Sequence, residues 1–354
     1  MQPLGLKMMH ETAELVNPVL VRAANELEEP LRTVVSYLPS IRAGTLNRRP
    51  QVRPLLVRLG YEFNRSGFAK IIPICASVEL LNNSTYVIDD LLDDCDYRAG
   101  YQSVHSKFGN DPAIIAGMLL RELAERKVLE CNSIPIEERL YVITALNAAH
   151  SVIYRGQFED QQLNTTGEVT AAQYLQRCGK ISGTFIEKCV TIGAHVGGSP
   201  PAELEAISRF GFNYGIALQV RNDLMDFLFP ETFRTNSMAF KGESHSDFRD
   251  GKQTLPLIVA LQNASGEDAD FLRRYLGKKK IEREVLQDIN AIIEDAGGFF
   301  ETKRAIRQYA DLAIAALGTV KECNAKKGLV SLANLTDNVI AWKFSKKNYV
   351  NRQK

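Results

Sequence analysis

Between Ala76 and Tyr97 the chain has neither lysine nor arginine, yet this stretch ends in Val87-Ile88-Asp89-Asp90-Leu91-Leu92-Asp93-Asp94-Cys95-Asp96. The apolar run from Phe68 to Leu92 reads as one long buried helix. On a helix, Asp89 and Asp93 lie roughly 40° apart, with Asp90 within about 100° of both. Three carboxylates thus leave one face at one level, near a helix C-terminus, where the dipole also opposes negative charge. Two readings fit. One is an acidic helix end running into a loop. The other is a seat for a hard divalent cation such as Mg²⁺, which takes a few carboxylates, keeps waters and binds phosphates.

The design recurs. Phe212-Asn213-Tyr214-Gly215-Ile216-Ala217-Leu218-Gln219-Val220-Arg221 is a second apolar helical run, ending in Asn222, Asp223 and Asp226. Two such helices face to face would make a two-sided metal cage for a diphosphate. The pair resembles the two aspartate-rich motifs of the trans-isoprenyl diphosphate synthases. The resemblance runs from about Arg53 to Pro256. It includes Val104-His105-Ser106-Lys107-Phe108-Gly109-Asn110, Gly156-Gln157 with Asp160, Lys180, Gln219, and Asp247-Phe248-Arg249-Asp250-Gly251-Lys252 with Thr254-Leu255-Pro256.

The resemblance implies an all-α, single-domain helical bundle around a central cavity, spanning residues 1–354. Residues 1–40 form an N-terminal helical region, expected to break near Pro18 and Pro30, and 345–354 a basic tail. It implies Mg²⁺, three ions with bound diphosphate, held by Asp89, Asp90, Asp93, Asn222, Asp223 and Asp226. Arg98, Lys180, Gln219, Lys241, Lys252 and Arg53 would hold diphosphate. Asp89, Asp90, Arg98 and Lys180 would carry catalysis, as Lewis-acid-assisted ionisation of an allylic isoprenyl diphosphate. Ser84, Thr85, Tyr86 and Gln157 would line the tail pocket. Ser84 and Thr85 are small where short-product members carry an aromatic ring, which implies substrates of C15 or longer. A homodimer is also implied.

The departures are equally informative. Family members grip isopentenyl diphosphate with a Lys three residues before an Arg-Pro pair, a His in the first-motif helix, and a second Arg after that motif. Here those positions are Pro50, Asn82 and Ala99, and Arg53 alone remains. Three lost charge-assisted contacts of roughly 1.5–3 kcal/mol each would cost several decades of affinity. Motifs needed for ionisation are kept and those needed only for elongation are altered. The expectation is therefore a class I terpene synthase on this fold, with chain elongation as the alternative. An initial Asn in the second motif also resembles terpene synthases, although Pro230 stands where their Glu would be. Met118 replaces a usual Asp, and Ile181 a usual Thr. A non-catalytic subunit of a hetero-oligomeric synthase would have little reason to keep both motifs, and should show little Mg²⁺-dependent diphosphate binding.

Composition excludes other classes. A formal net charge of +1 over 354 residues gives no field for nucleic acid or an anionic membrane. Six cysteines without CxxC spacing read as reduced thiols of a cytosolic protein. No apolar run is expected to span a bilayer, and no basic-then-apolar leader opens the chain.

Overall fold

A computed structural model describes residues 3–38, 51–163, 167–228 and 244–341. The chain folds into helices packed side by side, as expected. Helix α1 (Leu4–Asn25) and α2 (Val52–Glu62) precede α3 (Ile72–Leu92), which ends in the first acidic motif. Helices α4 (Asn110–Leu129) and α5 (Ile136–Leu163) follow, then α6 (Ala171–Cys178), α7 (Thr184–Val196) and α8 (Pro201–Leu228), which carries the second motif. Helices α9 (Leu255–Asn263), α10 (Gly266–Tyr275), α11 (Arg283–Asp295), α12 (Gly298–Ala316) and α13 (Asn324–Ala341) complete the bundle. Among the described residues, strand pairing is confined to a two-residue ladder, Tyr97–Arg98 against Tyr101–Gln102. Its tight turn holds Ala99 and Gly100 at positive φ (56° and 85°), the geometry of a two-residue hairpin.

Helix α1 runs through Pro18 rather than breaking there. Val16, Leu20, Ala23 and Ala24 are completely buried along one face, and that packing outweighs the backbone hydrogen bond Pro18 cannot donate. The expectation of no membrane-length apolar stretch also needs correction. Residues Ala69–Leu92 are long and apolar enough to cross a bilayer, but 72% of their 18-residue apolar window is buried inside the bundle.

Helix α8 joins two cores. Phe210 and Tyr214 belong to a large cluster built with α1–α4 and α7; Ile216, Val220 and Leu224 belong to a second, built with α6, α9, α11 and α12. Glycine lets the central helices touch. A Cβ on Gly193 of α7 would sit 1.9 Å from the Val57 carbonyl of α2, and one on Gly215 of α8 only 2.7 Å from the Gly183 Cα. Between α6 and α7 a five-residue π turn, Gly179–Gly183, replaces α-helical geometry.

Candidate active site

The central cavity has a volume of about 770 Å³. Both acidic motifs open into it, with apolar walls supplied by α1, α5, α7, α8 and α13. Asp89, Asp93, Asn222, Asp223, Asp226, Arg53, Arg98, Gln219, Lys252, Ser84, Thr85, Tyr86 and Gln157 all line it, so the fold gathers most of the residues expected from sequence.

Asp90 is fully buried and lies behind the lining, where it accepts two hydrogen bonds from the Arg98 guanidinium, one of them from Nε at 2.8 Å. The hairpin turn positions Arg98, which is only 5% exposed and lies 4.8 Å from the Tyr86 ring centroid. Burial alone would oppose the Arg98 charge, but Asp90 outweighs it and the guanidinium is held more firmly protonated than usual. Asp93 caps α3 and accepts from Lys252 Nζ at 2.8 Å.

The second motif is held differently. Asp223 accepts from the Tyr174 hydroxyl at 2.6 Å and from Gln219 Nε2 at 2.8 Å. Burial, reinforced by the Asp247 carboxylate, pushes its pKa up to about 7, while Tyr174, Arg177 and Gln219 work the other way. Asp226 accepts from Ser246 Oγ at 2.9 Å and the Asp247 N–H at 3.0 Å. Asn222 Oδ1 accepts from Arg221 Nη2 at 3.0 Å.

The donor set fits a hard divalent cation. One buried oxygen of Asp90, Oδ2, has no hydrogen-bond partner, and burial with Asp247 disfavours the Asp223 charge more than Arg177 supports it, a balance that a bound cation would relieve. Among the described residues, three ligand atoms converge within 4.8 Å only at Asp93, Cys95 and Asp250. The motif carboxylates are spaced more widely, so a bound Mg²⁺ would draw the rest of its ligands from water and phosphate.

Lys180 departs from expectation. It is on the π turn, does not line the cavity and donates to Glu159 at 2.5 Å. The cation on the lining is Arg177, one turn earlier, bonded to Asp160. Lys241 lies outside the described residues, as do Pro50, Pro230 and the basic tail. Sequence reasoning missed Arg177, Tyr174 and Arg221. Thr170-x-x-Gln173 is a legible signal for where α6 starts, since the two side chains form a reciprocal capping box. Nothing in the sequence signals that Tyr174 will meet Asp223, 49 residues away.

Ser84 and Thr85 do face the cavity, with their hydroxyls spent on the Gly117 and Asn82 carbonyls (both 2.8 Å). The wall there is therefore small and effectively apolar.

Residues 46–293 match the family model described as Polyprenyl synthetase. The geranylgeranyl diphosphate synthase of Methanosarcina mazei is 27% identical over 284 residues, covering 80% of this chain and 84% of that protein. The geranylfarnesyl diphosphate synthase of Aeropyrum pernix is 28% identical, covering 86% of this chain and 92% of its own. Among solved structures, the geranylgeranyl pyrophosphate synthetase of the archaeon Geoglobus acetivorans superposes with a TM-score of 0.80 at 25% identity, covering 93% of this chain and 99% of that one. That of Pyrococcus horikoshii gives 0.82 at 24% identity over 94% and 98%, a likeness of fold. By motif, fold and family match over most of its length, the chain is a member of the polyprenyl synthetase family.

Proposed function

We propose that the protein is a chain-elongating isoprenyl diphosphate synthase, joining a C15 or longer allylic diphosphate to isopentenyl diphosphate within a single domain. The observation that carries this reading is an apolar cavity of about 770 Å³ with acidic motifs from two helices at one end and small residues, Ser84 and Thr85, in its wall. The names of the relatives, geranylgeranyl and geranylfarnesyl diphosphate synthases, favour elongation over cyclisation.

In this reading Asp89, Asp90 and Asp93 with Asn222, Asp223 and Asp226 hold Mg²⁺, which supplies Lewis-acid assistance to departure of the diphosphate. Arg98 and Lys252, both facing the cavity, meet the charge that develops on the leaving oxygens. Arg98 also fixes Asp90. Gln219 orients Asp223 through the 2.8 Å hydrogen bond. Ile153, Phe185 and Leu218 exclude water from the allylic cation. Arg177 takes the lining position expected of Lys180.

The six thiols are free, in keeping with a cytosolic protein. A homodimer would cover apolar side chains that α4 and α5 leave exposed. Ile115, Met118, Tyr154 and Phe158 are 45%, 66%, 49% and 63% exposed there. Light scattering that gives twice the chain mass would agree with it.

Cyclisation as a terpene synthase is the second reading. The observation favouring it is that Asn82 and Ala99 stand where second-substrate contacts belong, and Ala99 is buried with only 1% exposed. Incubation with Mg²⁺ and geranyl, farnesyl or geranylgeranyl diphosphate, each with and without isopentenyl diphosphate, separates the two. Longer prenyl diphosphates formed only with isopentenyl diphosphate are expected. Hydrocarbons or alcohols formed without it would overturn elongation.

A further inference from the structure

Among the described residues, five cations line the cavity: Arg53, Arg98, Arg177, Arg221 and Lys252. Three are matched by carboxylates, Arg98 by Asp90, Arg177 by Asp160 and Lys252 by Asp93. Arg53 is steadied by the buried Glu79 carboxylate, which lines the same cavity, whereas Arg221 has no carboxylate partner among the described residues. The Arg53 guanidinium is 4.8 Å from the Phe185 ring centroid and in reach of the Tyr86 hydroxyl, and its Nε has no acceptor. Among the described residues, Arg221 gives one hydrogen bond, to the neutral amide of Asn222, and its Nε has no acceptor. Arginine does not shed its proton in proteins, so both charges persist in a site of low dielectric.

A buried charge without a counter-ion is costly unless a ligand supplies one. Arg221, from α8, is such a charge, and it lines the same cavity as Arg53 of α2. The residue after Arg221 sharpens the point. An Asp at position 222 would pair with Arg221 and cancel its charge. Asn222 occupies one N–H and leaves the charge available.

We infer that Arg221 joins Arg53 as the seat for the diphosphate of the second, isopentenyl substrate, in place of the contacts that Pro50, Asn82 and Ala99 cannot make. This rests on the elongation reading. It turns two departures from the family pattern, the altered second-substrate positions and the Asn at 222, into one arrangement.

The test uses the full chain and isopentenyl diphosphate as probe. Calorimetric titration, followed by steady-state kinetics with farnesyl diphosphate and Mg²⁺, is run on wild type, Arg221→Gln and Arg221→Lys. Arg221→Gln should weaken isopentenyl diphosphate binding about tenfold or more and raise its KM in step, while the KM for farnesyl diphosphate moves less than about twofold. Arg221→Lys, which keeps a point charge without the planar fork, should fall between. Independently of any variant's folding, isopentenyl diphosphate should shield Arg221 of the wild type from phenylglyoxal, read by peptide mass spectrometry. Wild type that binds no isopentenyl diphosphate would overturn this inference and the elongation reading together. Wild-type binding that Arg221→Gln leaves intact, the absence of shielding, or equal rises in both KM values would overturn the inference alone.

Discussion

The two acidic helix ends look alike in sequence and are built on opposite electrostatic plans. At the end of α3, Asp90 and Asp93 each hold a cation, Arg98 and Lys252. At the end of α8, Asp223 is held chiefly by neutral donors, Tyr174 and Gln219, and Asp226 by Ser246 and a backbone N–H. The first site is charge-balanced by the protein itself. The second retains a deficit, visible as the Asp223 pKa near 7. Before any ligand arrives, the second motif is the one that gains most from a cation, whereas the first must release its own.

Breaking Arg98 tests the first half of that contrast most severely. Arg98→Ala strands the buried Asp90 carboxylate, and we expect a loss of about 3–5 kcal/mol in urea unfolding. Adding Asp90→Asn should recover part of it. A loss under about 1 kcal/mol would mean that Asp90 is not charge-balanced by Arg98.

The second half predicts a pH dependence. Asp223 has a folded-state pKa above its ordinary value of 3.8, so the folded chain binds this proton more tightly than the unfolded chain. Stability of the metal-free protein should therefore fall as pH rises from about 4 to about 7 and then level off, as far as this group contributes. Mg²⁺ affinity should rise across the same window, because the ion competes with the proton. Denaturation midpoints across pH, with and without Mg²⁺, check both, and a metal-free midpoint that climbs through this range would reverse the assignment.

A smaller effect is expected from Tyr174→Phe. It removes a hydrogen bond that lowers the Asp223 pKa, so the acid limb of Mg²⁺ binding should move to higher pH, with a stability loss of about 1–3 kcal/mol. An unchanged limb would mean that the 2.6 Å contact does not tune the carboxylate. Lys252→Gln removes largely buried ion pairs to Asp93 and Asp247 while keeping a hydrogen-bond donor, and should cost about 1–3 kcal/mol in urea unfolding. Its larger consequence should fall on kcat, through the leaving group.

The fold was legible because the helices advertise themselves. The lysine- and arginine-free run to Leu92 can only be interior, and both acidic motifs sit where the apolar periodicity stops. The acidic residues that those two helices bring to the cavity were legible for the same reason, being fixed by spacing within one element. Partners between elements were not. Arg98 against Asp90 spans a two-residue hairpin too short to leave a strand pattern, and Tyr174 against Asp223 depends on the crossing of α6 and α8. Lys180 was expected on the cavity from the resemblance; the π turn Gly179–Gly183 that carries it leaves no mark in the sequence, and its side chain is bonded to Glu159 instead.

That wider turn has a consequence of its own. A π turn is an α-helix carrying one surplus residue, and it works as a phase shifter: everything before it is rotated by about 100° relative to an uninterrupted helix. Arg177 lies before the turn and Ser182 within it, yet both face the same cavity. Deleting one residue from Gly179–Gly183 would restore regular winding while swinging Arg177 away from Asp160 and Tyr174 away from Asp223. The chain would keep its helices and lose the alignment between them, much as a gear that has slipped one tooth still turns but no longer keeps time.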